Sequence, residues 1–221
     1  MKTTAIVIPA RLDSSRFPNK MLADLNGKPL IKHDFDKCSE TGLPTYVVTP
    51  DKEIANVIGK EYSLLVGEAD NGTERCALAL NYINYEHIIN VQGDMPDINS
   101  DIIFSVNNVL EEYGVATAYT DMKEVDRKDS NTVKLIHNGK KAHWFCRASL
   151  EYGDWHLGVY GYRRSLLDGY SHMTKHTEEA KEKLEQLRWI QNGYDIGVAK
   201  VDFNGTEINT QEDLEKWRKQ V

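Results

Sequence analysis

The stretch "AIVIPARLDSSRFPNK", Ala5 to Lys20, carries the fold in its first four residues and a charge question in the rest. Ala5 to Ile8 is short and wholly apolar, the pattern of a strand buried on both faces. It runs straight into a loop with three cations, Arg11, Arg16 and Lys20, separated by Ser14 and Ser15 and by the turn at Pro18. A buried strand ending in a polar loop is the opening unit of an open parallel sheet, whose ligands sit outside the carboxyl ends of the strands. The loop has neither the GxxxxGKS/T pattern of a P-loop nor the GxGxxG of a dinucleotide site. Its amides, hydroxyls and cations suit a polyphosphate, although the same spacing also fits a solvated basic loop.

Outward from this stretch, strand and helix signals alternate. Pro29 to Ser39 has helical spacing and stops at Gly42, "TYVVT" (Thr45 to Thr49) reads as a strand, and "DKEIANVIGK" reads as a helix opened by Asp51. "SLLVG" is the next strand, "TERCALALNYI" a helix with Thr73 as its expected N-cap, and "HIINV" (His87 to Val91) another buried strand. A helix from about Asn99 to Tyr113 follows. This alternation implies a parallel sheet with right-handed crossovers. The second half reads differently. "VATAYT", "TVKLIHN", "KKAHWFCR" and "WHLGVYGYR" are extended, with Asn138-Gly139 as a hairpin signal between the second and third. "TEEAKEKLEQLRWI" is expected as one amphipathic helix through Ala180, Leu184, Leu187 and Ile190. "IGVAKVDF" is a late strand, and "TQEDLEKWRK" a closing helix capped by Thr210.

Composition narrows the function. The 221 residues suffice for one large domain, and 40% hydrophobic with 28% charged is ordinary for a globular chain. A net charge of -7 argues against a general nucleic-acid binder. Met1 to His33 nevertheless carries +4, leaving -11 for the remainder, so the first loop is a positive island that draws a small anion to one place. Cys38, Cys76 and Cys146 are odd in number and scattered, which fits a reducing compartment better than a disulfide framework. No apolar run approaches membrane-spanning length, and the expected location is the cytoplasm with no membrane partner.

A second strand end carries chemistry. "INVQGDMP", Ile89 to Pro96, delivers Gln92, Gly93 and Asp94 to the sheet edge, and a single carboxylate there suits Mg²⁺ bound together with substrate phosphates. Taken alone, Asp94 also fits a turn residue.

Seven stretches occur in the order found in one family: "IPARLDSSRFPNKML", "DLNGKPLIKH", "NGTERCALAL", "INVQGDMP", "HLGVYGYR", "EKLEQLRW" and "INTQEDLEK". Over nearly its whole length the chain resembles the CMP-KDO synthetases, which activate the eight-carbon acid sugar 3-deoxy-manno-octulosonate (KDO). The resemblance implies an α/β, Rossmann-like nucleotidyltransferase fold with a mostly parallel sheet. It implies one domain over 1–221, with a smaller mixed α/β dimerisation and sugar-binding subdomain at about 120–165, and a homodimer. The implied reaction is CTP + KDO giving CMP-KDO and diphosphate with Mg²⁺ as cofactor. By motif position Arg11, Ser14, Arg16 and Lys20 resemble the triphosphate cradle, Arg75 the arginine beside the nucleotide, and Ala10 a backbone contact to cytosine. Asp94 is similar to the magnesium aspartate, and Lys20, Asp94 and Arg16 are the implied catalytic set. Gln92, Arg147, His156, Tyr160, Glu185 and Gln186 match sugar-binding positions.

The chain departs from that family at three places. Met95 stands where Glu usually follows the metal aspartate, and Asn209 where the late motif usually has a second metal Asp. The bridge "ASLEYGD" before Trp155 is shorter than usual. An amide oxygen brings no charge, so lower magnesium affinity is expected with Asp94 and Asn209 as ligands. Two further readings stay open at this level: a cytidylyltransferase for another ulosonic acid such as a sialic-acid relative, and a degenerate non-catalytic binder. On pattern alone His156 and Tyr160 also fit the outer side of a half-buried strand, and Glu185 and Gln186 the exposed shoulder of a helix.

Overall fold

In the structure of the protein, a computed structural model describing residues 3–14 and 16–219, the apolar runs become the strands of one sheet. Ser15 lies outside the described residues. In chain order the elements are β1 (Thr4–Pro9), the hairpin β2 (Asp24–Leu25) and β3 (Lys28–Pro29), α1 (Leu30–Ser39), β4 (Thr45–Thr49), α2 (Lys52–Ile58) and β5 (Ser63–Leu65). Then come α3 (Gly72–Ala79), β6 (His87–Val91), α4 (Ser100–Val109), β7 (Val115–Thr120), β8 (Lys134–His137), β9 (Ala142–Cys146) and β10 (Asp154–Arg163). The chain closes with α5 (Arg164–Leu167), α6 (Thr177–Glu182), α7 (Leu187–Gln191), β11 (Ile196–Lys200) and α8 (Gln211–Arg218).

The main sheet runs β11-β7-β10-β6-β1-β4-β5. All neighbouring pairs on this path are parallel except those of β10, which is antiparallel to both β6 and β7. Because β10 runs the other way, its first half lies beside the carboxyl end of β6, with Val159 opposite Val91. The mostly parallel α/β sheet expected from the alternation is therefore present, with one reversed strand at its centre.

Alternation along the strands sends side chains into two cores. Ile6, Ile8, Ile89 and Val91 pack with Ile31, Phe35, Ile54 and Ile102 of α1, α2 and α4 on one face. Val7, Val48 and Ile88 pack with Cys76, Leu167, Leu187 and Trp189 on the other. Each fully buried aliphatic side chain is worth about 1.5–3 kcal/mol, so the central strands are fixed from both sides.

The hairpin β8–β9 leaves the main sheet and is tied to it where Asp154 and Trp155 pair with Leu135 and Lys134. Its turn is the Asn138-Gly139 step, with Gly139 at φ 86° and the Asn138 side chain accepting from Lys140 and Lys141 N–H groups. Most of β10, which falls within the expected 120–165 subdomain, belongs to the central sheet.

Local expectations are refined. The N-cap of α3 is Asn71, whose side chain accepts from Glu74 N, not Thr73, which lies inside the helix. Asp51 opens α2 at the N-cap position as expected, but its carboxylate makes no cap hydrogen bond and instead accepts Leu12 N–H at 2.8 Å, anchoring the basic loop. The expected long helix over 177–190 is two short ones, broken at Lys183 in a left-handed conformation with φ 55°. Thr210 does cap α8, in a reciprocal arrangement with Asp213.

Candidate active site

Two adjoining clefts open at the carboxyl ends of β1 and β6. The smaller, of about 270 Å³, is lined by Ala10, Arg11, Ser14, Arg16, Lys20 and Arg75, with Gln92 and Asp94 at its floor. The larger, of about 680 Å³, is lined by Arg147, His156, Tyr160, Glu185, Gln186 and Asn209, and shares Arg11, Arg16, Gln92 and Asp94 with the first. Every site residue named from the sequence thus lines one cleft or both.

In the smaller cleft, the cations Arg11, Arg16, Lys20 and Arg75 outnumber the carboxylates Asp13 and Asp94. Arg75 is buried, and its guanidinium donates to the carbonyls of Ala10 at 3.3 Å and Ala69 at 3.4 Å. Burial and then the neighbouring Arg11 charge push its pKa down, the sign of a cation that an incoming anion stabilises. Lys20 is buried at the deep end, where its ammonium donates to Asp94 Oδ2 at 2.6 Å and to the Ile208 carbonyl at 3.0 Å. Arg16 is exposed and bridges Asn131 at 2.7 Å and Asn209 at 2.9 Å. Ala10 has less to offer than expected: its N–H already donates to Val48 O, and its carbonyl accepts from Arg75.

The larger cleft mixes charges of both signs with neutral polar groups. His156 is 4% exposed, and burial followed by the Arg147 charge lowers its pKa to about 3, so the imidazole is neutral at physiological pH. Thr117 Oγ1 donates to Val159 O at 2.7 Å and must therefore accept from His156 Nε2 at 3.0 Å, which leaves Nδ1 as an acceptor. Tyr160 is buried 5.3 Å from that ring, and burial holds its hydroxyl protonated. Both residues face inward, which removes the reading that put them on an outer strand face.

The break at Lys183 explains the next pair. It turns Glu185 back toward α3, where Oε1 accepts Thr73 N–H at 3.1 Å and the Thr73 hydroxyl at 2.9 Å. Burial raises the Glu185 carboxyl while these Thr73 hydrogen bonds oppose the rise. Gln186 is 3% exposed with an unpartnered Nε2 in the cleft wall, a donor whose burial costs free energy until something accepts from it. Gly72 and Gly158 make room for Gln92: a Cβ on either would stand 3.0 Å from the Gln92 side chain. Arg147 spends Nε and Nη1 on the carbonyls of Glu182, Ser130 and Asn131, leaving Nη2 as its open donor.

Two residues in the walls were not singled out from the sequence. Arg188 is fully buried, paired with Glu74 and Glu179, and ties α7 to α3 and α6. Glu207 lines the larger cleft and accepts Gly158 N–H at 3.3 Å; burial and then the Asp94 charge raise its pKa to about 7. Arg188 lies inside the motif "EKLEQLRW", where only its neighbours Glu185 and Gln186 were singled out, and Glu207 lies on an irregular segment just before "INTQEDLEK".

The assembled site has relatives. The family model described as cytidylyltransferase matches residues 5–196. The 3-deoxy-manno-octulosonate cytidylyltransferase of Bartonella bacilliformis is 36% identical over 97% of this chain and 96% of its own. The 8-amino-3,8-dideoxy-manno-octulosonate cytidylyltransferase of Shewanella pealeana is 36% identical over 95% of this chain and 94% of its own. A solved structure of CMP:2-keto-3-deoxy-manno-octonic acid synthetase complexed with CTP matches with a TM-score of 0.91 at 29% identity, over 99% of this chain and 98% of that one. With a family model spanning most of its length and relatives covering nearly all of it, the chain belongs to the cytidylyltransferase family.

Proposed function

We propose that the protein transfers the cytidylyl group of CTP to an eight-carbon acid sugar, 3-deoxy-manno-octulosonate or its 8-amino-8-deoxy analogue, releasing diphosphate. The observation that carries this reading is the shared floor of the two clefts: Gln92 and Asp94 line both, so an anion-binding cleft and a polar cleft meet at one carboxylate. A triphosphate in the first and a sugar in the second bring the anomeric oxygen to the α-phosphorus at that junction. The new bond joins that oxygen to phosphorus, the α–β phosphoanhydride bond breaks, and the hydroxyl proton leaves to solvent. Such transfer needs positioning and charge neutralisation and no protein nucleophile.

Arg11, Arg16 and Arg75 gather the triphosphate, with Ser14 as a hydroxyl donor and Ala10 at the base. Lys20 sits at the deep end on Asp94. On the sugar side, Arg147 Nη2 and Gln186 Nε2 are open donors for the carboxylate and hydroxyls. His156 Nδ1, Glu185 and Tyr160 read hydroxyl groups, and Gln92 spans the junction. The donor set at Asp94 is hard oxygen, which fits Mg²⁺. When bound, the ion supplies charge neutralisation on the phosphates.

The three cysteines are buried and unpaired, which supports a reducing cytoplasm as the working compartment; among the described residues no helix is long and apolar enough to cross a membrane. A homodimer is part of the same reading, with Val125 and Tyr152 of the 120–165 segment as exposed apolar side chains. Light scattering from the purified protein tests it, and a monomer at micromolar concentration refutes it.

Diphosphate release with CTP, Mg²⁺ and each of KDO, 8-amino-KDO and sialic acid, with UTP and ATP as controls, tests the function. Release with CTP and an octulosonate supports it. Release only with sialic acid reassigns the sugar, and CTP binding without release from any sugar refutes catalysis.

A further inference from the structure

The segment entering α8 passes the cleft junction at Glu207, Ile208 and Asn209. Ile208 is buried; its N–H donates to Asp94 O at 2.8 Å and its carbonyl accepts from Lys20 Nζ at 3.0 Å. Glu207 and Asn209, two residues apart, both line the larger cleft with Asp94. Their commitments differ. Asn209 Oδ1 already accepts from Arg16 Nη2 at 2.9 Å and carries no charge. Glu207 takes one hydrogen bond, at 3.3 Å from Gly158 N–H to Oε1, and forms no ion pair among the described residues. The Ile208 N–H on Asp94 O holds the backbone next to Glu207 against Asp94, both carboxylates line the larger cleft, and among the described residues Lys20 pairs with only Asp94.

We infer that Glu207 is the second protein carboxylate for the divalent cation, acting with Asp94, and that Asn209 serves instead as the clamp that orients Arg16. Mg²⁺ is commonly held by one or two carboxylates plus substrate phosphates, and this pair, Asp94 in both clefts and Glu207 in the larger one, meets that requirement without any contribution from position 209. The charge absent at Asn209 is thus supplied two residues earlier. The inference rests on the magnesium reading given above.

Mn²⁺ provides a direct readout through its electron paramagnetic resonance signal, titrated into protein saturated with the α,β-methylene analogue of CTP, which cannot turn over. Wild type, Asp94→Asn, Glu207→Gln and Asn209→Ala are compared, with thermal melts as a folding control. Glu207→Gln and Asp94→Asn are expected to weaken Mn²⁺ at least about tenfold, while Asn209→Ala stays within about twofold. Wild-type affinity in Glu207→Gln, or a loss in Asn209→Ala equal to that in Asp94→Asn, overturns the assignment. The second comparison holds even where Glu207→Gln does not fold. Absence of any protein-bound Mn²⁺ in the wild-type complex fails the magnesium reading itself, and is seen before any variant is made.

Discussion

Replacing Arg188 by methionine tests how the wall of the sugar cleft is held. Arg188 is fully buried, with Nε and Nη2 on Glu179 at 2.9 and 2.5 Å, Nη1 on Glu74 at 2.9 Å, and its guanidinium 4.2 Å from the Tyr170 ring centroid. Methionine keeps much of the volume and none of the charge. Breaking a buried pair by removing one partner costs about 3–5 kcal/mol, because the other charge is left desolvated. Here Glu74 and Glu179 side chains are 15% and 12% exposed and Glu74 keeps Lys175 at 3.5 Å, which places the cost at the lower end, about 3 kcal/mol. For a chain of this size 1 kcal/mol moves Tm by roughly 2–4 °C, so Arg188→Met should melt about 6–12 °C below wild type by calorimetry. Glu185 and Gln186 sit on the turn just before Arg188, so KM for the sugar should rise more than KM for CTP. The triple variant Glu74→Gln, Glu179→Gln, Arg188→Met removes the stranded charges and should recover most of the loss. A Tm within roughly 2 °C of wild type, or a triple variant no better than the single one, refutes the argument.

His156 gives a pH signature. Its folded pKa of about 3 lies below the unfolded value of about 6.5, so below pH 6.5 the unfolded chain binds a proton that the folded chain does not. Stability contributed by the neutral ring is complete above that pH and falls as pH drops toward 3, by about 2 kcal/mol at pH 5. Melts of His156→Asn should show a shallower loss between about pH 7.5 and pH 5 than wild type, and an identical slope contradicts the assignment. Lys20→Met should lower the rate of diphosphate release about 10²–10³-fold with an unchanged circular dichroism spectrum, and full activity removes Lys20 from the machinery. Gln186→Met deletes an unpartnered buried donor, so the free protein should be no less stable, while kcat/KM for the sugar falls about tenfold. A drop in stability without a change in that ratio assigns Gln186 to structure alone.

The strands at the centre were legible because burial on both faces makes them mostly aliphatic: Ala5 to Ile8 is wholly apolar, and Ile88, Ile89 and Val91 carry the second run despite the buried His87 and Asn90. The place of β10 was not, since pairing between β6 and β7 is a tertiary choice that leaves the local pattern of "WHLGVYGYR" unchanged. Reading 177–190 as one helix failed because Ala180, Leu184 and Leu187 keep helical spacing across a break made by Lys183, where no glycine announces it. Asn71 and Thr73 are both good cap formers, and only the fold chooses between them. The site residues came from ordered motifs; Glu207 lies just outside one and Arg188 inside another, and both escaped because their roles depend on who packs against them.

The reversed strand at the centre of the sheet has a consequence for synthesis. Until β10 has left the ribosome, β6 and β7 each present an unpaired backbone edge, and both strands are buried along their whole length in the finished fold. Exposed apolar edges of this kind template pairing between chains. A nascent chain arrested before Asp154 already holds the whole anion-binding loop and Asp94, yet it lacks the strand that closes the sheet. Such fragments should aggregate rather than accumulate as soluble nucleotide binders, and the protein's yield in a cell will depend on how quickly the ribosome passes β8 and β9.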